Sequence, residues 1–235
     1  MKKIFHINGT TTPGGGPEHI FQLIKRLNQN EWEVVICTLK DGLYWEKFKS
    51  LNIKTYNLAL RIISLKTACK FFLILRKEKP DIIHTHGKGP GLYGRLIGSF
   101  LNIPVIHTFH GFHYQDIPFP TRWFHLAVET LLSLFTDHHI FVSTGEKNRA
   151  RVLKFLDEEN STVIHNGVDH EHIDSLPITR NKALKLSESE NWEKNKILGT
   201  IARLSPEKGI LCLLTAFSKA IKEIPDLRLI IIGGY

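Results

Sequence analysis

Cysteine is scarce in this chain: Cys37, Cys69 and Cys212 are the three present, odd in number and widely spaced. That argues against a disulfide framework. Each lies in an apolar run, so all three are expected as buried thiols of a reducing cytosol. Long apolar runs are missing as well, and none reaches the roughly 18 residues that cross a bilayer. Met1-Lys2-Lys3 leads at once into a strand-like segment and a Gly-rich loop, which is not the pattern of a cleaved leader. There is no recognition-helix motif, zinc-finger spacing or RNP-like aromatic sequence. The net charge of +8 therefore does not indicate a nucleic acid. It suits a phosphorylated sugar, an anionic lipid surface or a simply solvated basic face. The dinucleotide fingerprint G-x-G-x-x-G is absent too, and Cys37-Thr38-Leu39 stands where an acidic residue would close strand two. An NAD-dependent oxidoreductase is thereby the least supported enzyme class.

What is present is the composition of an ordinary globular protein, 42% hydrophobic and 23% charged. Apolar patterns predict strands at Lys3–Ile7, Glu33–Thr38, Ile53–Asn57, Asp81–His84, Val105–Thr108, His139–Ser143 and Thr162–Ile164. Helical patterns alternate with them, as in Ile20, Leu23, Ile24 and Leu27. Repeated strand–helix–strand units imply an α/β fold with a parallel sheet covered on both faces. Ligands on such sheets gather at the carboxyl ends of the strands, here the loops after strands one, four and five. Composition turns polar and charged from His170 to Lys196, and the strand–helix rhythm restarts at Ile197. Ile210, Leu213, Leu214, Phe217 and Ile221 then mark one face of a last helix. The expected organisation is a domain over 1–169, a linker over 170–196 and the start of a second domain over 197–235. The last piece is too small for an independent core.

Several groupings carry chemistry. Gly14-Gly15-Gly16-Pro17-Glu18-His19 lies between strand one and the first helix. Its glycines are expected to adopt positive φ angles and to let a ligand approach the helix N-terminus, although a plain turn fits as well. His84 and His86 are expected just after strand four, and His107, His110 and His113 follow strand five's pattern. Imidazoles spaced by three raise the question of a metal. Strand five, however, points alternate side chains to opposite faces, and Gly111 marks its turn. A shared coordination sphere would also need a nearby carboxylate or thiolate, so no metal site is expected. His110 is the histidine expected to hydrogen-bond a substrate hydroxyl or phosphate, the others being structural or solvent-facing. Asn166-Gly167-Val168-Asp169 reads as a turn in which Asp169 is structural rather than catalytic.

The stretch Leu60 to Lys79 mixes Phe71, Phe72, Leu73, Ile74 and Leu75 with Arg61, Lys66, Lys70, Arg76, Lys77 and Lys79. One face of it must pack on the sheet. A basic face turned outward is compatible with peripheral contact to an anionic membrane, at about 1 kcal/mol per basic residue. Arg203 and Lys208 flank a turn at the start of the last helix, an arrangement suited to anionic oxygens.

Taken in order, Gly-Gly-Gly-Pro-Glu-His, Asp-Ile-Ile-His-Thr-His-Gly at 81–87, His-Thr-Phe-His-Gly at 107–111, Asn-Gly-Val-Asp at 166–169 and Ala-Arg-Leu-Ser-Pro-Glu-Lys-Gly at 202–209 resemble a family 4 glycosyltransferase of the bacterial capsular or exopolysaccharide branch. The resemblance spans essentially the whole chain. It implies a GT-B-like fold: one complete Rossmann-like acceptor domain, and here the first strand–helix–strand unit of a nucleotide-sugar donor domain. It implies retention of anomeric configuration, a UDP- or GDP-linked sugar as co-substrate, no cofactor and no metal. The acceptor would be lipid-linked or a growing glycan, at the cytoplasmic face of the membrane. By position, Arg203 and Lys208 match the pair that neutralises the donor diphosphate, Gly15 and Gly16 the loop admitting phosphate and acceptor, and His110 the histidine that touches the transferred sugar. No side chain is expected to be a covalent nucleophile. The family's Glu-x7-Glu element would follow the Gly-Gly segment at 233–234, so the chain is expected to be C-terminally truncated and impaired in turnover. The rival expectations are a non-catalytic remnant that binds acceptor, membrane or a protein, and a GT-B sugar-nucleotide epimerase.

Overall fold

The computed structural model of the chain describes residues 1–27, 30–111, 118–153, 159–170, 173, 182, 185, 192 and 194–233. His113, Gly234, Tyr235 and most of the stretch read as a linker lie outside the described residues. The chain divides into two compact units, Met1–Asp169 and His170–Tyr235.

The first unit runs β1 (Lys2–Ile7), α1 (Gly15–Arg26), β2 (Trp32–Thr38), α2 (Tyr44–Ser50), β3 (Lys54–Asn57), α3 (Leu65–Glu78), β4 (Ile82–His86), α4 (Lys88–Phe100), β5 (Val105–Phe109), α5 (Thr121–Ser133), β6 (His138–Phe141), α6 (Thr144–Val152) and β7 (Ser161–Val163). The seven strands lie in the order β3-β2-β1-β4-β5-β6-β7, every neighbour parallel. Chain order reverses where β1 meets β4, with Ile7 beside Thr85. That reversal opens a crevice at the carboxyl ends of the strands.

Strand periodicity divides the core into two layers. Phe5, Ile7, Val35, Cys37 and Ile83 pack with Phe71 and Leu75 of α3 and Tyr93 of α4. Ile4, Val34 and Ile36 face the other way, against Ile20 and Ile24 of α1 and Tyr44 and Phe48 of α2. Helix α4 lies unusually close to the sheet. A Cβ on Gly94 would stand 2.2 Å from Thr85 Cγ2, so only glycine fits. On α3, Phe71 and Leu75 are buried while Lys66, Lys70, Arg76 and Lys77 are exposed, which turns the basic face outward. Between α4 and α5, the guanidinium of Arg95 meets the Glu129 carboxylate at 2.9 Å, both buried.

Two expectations need correction. Cys37 is buried, and burial pushes its thiol up to about 12, but Cys69 and Cys212 are exposed. Cys69 falls off the Phe71–Leu75 stripe by which α3 meets the sheet. The second correction concerns β4, which runs on to His86. His86 therefore joins His84 in the strand, the two held in register with Thr108 and Ile106 of β5 by ladder bonds that override their polarity.

In the second unit, β8 (Lys196–Ile201) and β9 (Leu227–Ile232) pair in parallel around α7 (Ile210–Glu223). A short 3-10 turn, Pro206–Lys208, precedes α7, and Gly209 makes the join at φ 64°. None of this unit's described residues is buried.

Candidate functional site

The crevice is built from the ends of β1, β4 and β5 and the start of α1. The loop leaving β1 is pinned by Asp41, whose carboxylate accepts from Thr11 N–H at 2.6 Å, Thr10 Oγ1 at 2.7 Å and Thr11 Oγ1 at 2.9 Å. Burial alone would raise the Asp41 pKa, but these bonds outweigh it and hold it below the ordinary value. The pinned loop delivers the chain into α1 at Gly15.

The triple glycine serves here in a different way from that expected. Gly14 is extended at φ 171°, and neither Gly15 nor Gly16 occupies the left-handed region, so no positive φ is required. What distinguishes Gly15 is empty space, since a Cβ there would meet nothing within 4 Å. A Cβ on Gly16 would touch the His110 ring at 3.9 Å. The fold does not demand these glycines. Their effect is to leave the first-turn N–H groups of α1 uncovered, groups that lack intrahelical acceptors.

Beside that turn lies a file of imidazoles. His6 Nδ1 is 3.3 Å from His86 Nε2, and His86 Nδ1 is 3.0 Å from His110 Nε2. His19 of α1 closes the file, its ring 5.0 Å from that of His110 and inclined to it by 66°. His84 Nε2 bonds Thr108 Oγ1 at 2.7 Å. Burial holds His110 down to about 4 and His6 to about 3, with His19 a smaller repulsive cause for each. Burial also lowers His86 well below the usual value, helped by its imidazole neighbours. His6, His86 and His110 are therefore uncharged at neutral pH, offering hydrogen bonds without a net charge.

His107 takes no part in this file. It bonds Thr85 Oγ1 at 2.7 Å, and a Cβ on Gly91 of α4 would lie 2.7 Å from its ring. His107 and His110 thus point to different faces of the sheet. Asp169 pairs with Lys25 at 3.2 Å and Arg26 at 3.3 Å in the last turn of α1. It ties the Asn166–Asp169 turn to that helix, where positive side chains also suit the helix dipole. A cavity of about 390 Å³ beside the file is lined by Asn8, Thr10, Arg61, His86, Lys88 and Pro90. In the second unit, Arg203 and Lys208 are both exposed on the segment joining β8 to α7. Gly16 and His110 are brought together in the first unit, with Gly15 next to Gly16, while Arg203 and Lys208 stand five residues apart on one connecting segment of the second.

His6, His19 and Asp41 escaped the sequence reading. His6 sits inside an apolar strand, and Asp41 contacts a loop thirty residues earlier. The one legible signal was His19 at the end of the glycine motif.

The sequence model of Glycosyltransferase Family 4 matches residues 13–172, and the chain belongs to that family. Over 181 residues it is 27% identical to the Escherichia coli UDP-Gal:alpha-D-GlcNAc-diphosphoundecaprenol alpha-1,3-galactosyltransferase, covering 73% of this chain and 45% of that protein. It is 24% identical to the Staphylococcus aureus capsular polysaccharide biosynthesis glycosyltransferase CapM, covering 72% of this chain and 45% of that one. The chain thus matches less than half the length of these relatives. Anabaena Alr3699/HepE, solved in complex with UDP and glucose, superposes with a TM-score of 0.80 at 20% identity, over 100% of this chain and 61% of that chain. This last likeness bears on the fold alone. Among the described residues no helix is long and apolar enough to cross a membrane.

Proposed function

We propose that the chain is part of a retaining glycosyltransferase that moves a sugar from a nucleotide-sugar to a lipid-linked or glycan acceptor in cell-surface polysaccharide assembly. The observation that carries this reading is the juxtaposition of a neutral, held imidazole, His110, with the uncovered first turn of α1 at Gly15 and Gly16. A neutral ring can donate to or accept from a sugar hydroxyl, and His86 fixes its orientation from behind. The bare N–H groups suit phosphate oxygens or an acceptor approaching closely. Galactosyl transfer to a diphosphoundecaprenol-linked sugar by the Escherichia coli relative, and bound UDP in the Anabaena structure, supply the substrate classes.

Arg203 and Lys208 take the diphosphate. Their charges stabilise the negative charge that develops as the nucleotide leaves, the kind of preorganised electrostatics that lowers barriers most. As the sugar–phosphate bond breaks, the acceptor hydroxyl attacks on the face that the leaving phosphate vacates and passes its proton to that phosphate oxygen, which retains configuration without a protein nucleophile. The cavity lined by Arg61 and Lys88 lies at the same strand ends and suits an anionic acceptor headgroup.

The test is transfer from a panel of UDP- and GDP-sugars to prenyl-diphosphate-linked acceptors, comparing this chain with a version extended over the remaining length of its relatives. Arg203→Ala and Lys208→Ala should each lower kcat by about 100-fold or more with an unchanged circular-dichroism spectrum. Rates within about twofold of the parent would remove the diphosphate role from them.

A further inference from the structure

We propose that His19, His86 and His110 form a binding site for one divalent transition-metal ion of the zinc or cobalt class. One ring nitrogen from each lies within 4.8 Å of the other two. The three come from separate elements: α1, the last residue of β4 and the first residue after β5. A tetrahedral ion with metal–nitrogen bonds of about 2.0–2.1 Å holds its ligand atoms roughly 3.3 Å apart. The His86 Nδ1 to His110 Nε2 separation of 3.0 Å is a few tenths short of that edge. His19, half-buried on its helix, completes the triangle with one ring nitrogen within the same 4.8 Å.

A ligating histidine needs its second nitrogen held by an outer partner, and two of the three have one. With Nδ1 of His86 on the ion, its Nε2 carries the proton and faces His6 Nδ1 at 3.3 Å. The His19 ring is hydrogen-bonded to Asn166.

A second grouping, His6, His84 and His86, also gathers ring nitrogens within 4.8 Å. All three of its members are buried, and His84 Nε2 is engaged by Thr108. The outer trio is the accessible one, because His19 and His110 are only half-buried. Three imidazoles and no carboxylate suit zinc, cobalt, nickel or copper and disfavour magnesium and calcium. The fourth position remains for water. An ion there replaces the His86–His110 hydrogen bond by which the transferase reading orients the His110 ring, so it would alter transfer. The site itself stands on geometry and does not depend on that reading.

Cobalt(II) titration of the chain tests the proposal. One equivalent should bind and give the visible absorption bands of a tetrahedral ion, and zinc(II) but not magnesium(II) should displace it. His19→Ala, on a helix surface, should weaken binding by at least tenfold, the loss that even an outer-shell change can bring. His110→Ala should do the same, while His138→Ala, remote on β6, should leave affinity unchanged. Circular dichroism keeps a folding failure distinct from ligand loss. Absence of the tetrahedral spectrum, or equal affinity in His19→Ala and the parent, overturns the site.

Discussion

His107 and His139 are buried imidazoles kept neutral first by desolvation and then by the nearby Arg95 guanidinium. His107 lies well below its usual pKa and His139 near 4. In the unfolded chain both would titrate near 6.5. The sign follows: above about pH 6.5 neither state is protonated and no stability is lost. As pH falls toward 4 the unfolded chain takes up protons that the fold refuses, so the fold is progressively destabilised. For His139 alone the loss is about 1.4 kcal/mol per pH unit within that window. Urea denaturation between pH 7 and pH 4.5 should show a falling midpoint, and His139→Phe should flatten part of that fall. An unchanged slope in the variant would mean that His139 is not the neutral group described. The Arg95–Glu129 pair explains why the guanidinium stays in place, since neither charge can leave its partner without stranding it in the core.

Among the elements, α4 shows how a helix is brought against a parallel sheet by what it lacks. Gly94→Ala places a methyl group 2.2 Å from Thr85 Cγ2. The helix must lift or Thr85 must turn, at an expected cost of about 1–3 kcal/mol. A lower denaturation midpoint at unchanged slope is the outcome that checks it. The alternation of apolar strands and amphipathic helices made the first unit's seven strands and their parallel pairing legible in advance. Apolar stripes such as Ile20–Ile24 carry that information locally. The imidazole file was not legible for the opposite reason. His6, His19, His86 and His110 are joined only by the strand order that sets β1 beside β4 and β4 beside β5. His107, three residues from His110 in sequence, was drawn into the same question by spacing, and the pleat sends it to the other face. The glycine motif was found by composition, but its role changed from backbone torsion to open space.

For the whole molecule the relevant quantity is charge, +8 in total. Part of it is organised: Lys66, Lys70, Arg76 and Lys77 stand out from α3, with Ile62, Ile63 and Leu65 exposed beside them. Such a surface should bring the chain to vesicles containing phosphatidylglycerol and not to phosphatidylcholine alone. Replacing Lys66 and Lys70 by Gln should weaken that binding roughly 30-fold at about 1 kcal/mol per residue. Raised salt should act in the same direction. Co-sedimentation that is indifferent to lipid charge would rule this contact out. The exposed thiols have a use at this scale as well. Cys69 stands on α3 of the first unit and Cys212 on α7 of the second, while Cys37 is sealed in the core with its thiol pushed up to about 12. The native chain thereby carries one accessible attachment point per unit and a third that stays silent. A donor and acceptor dye on that pair would follow the distance between the units as ligands are added, with no residue introduced to do it.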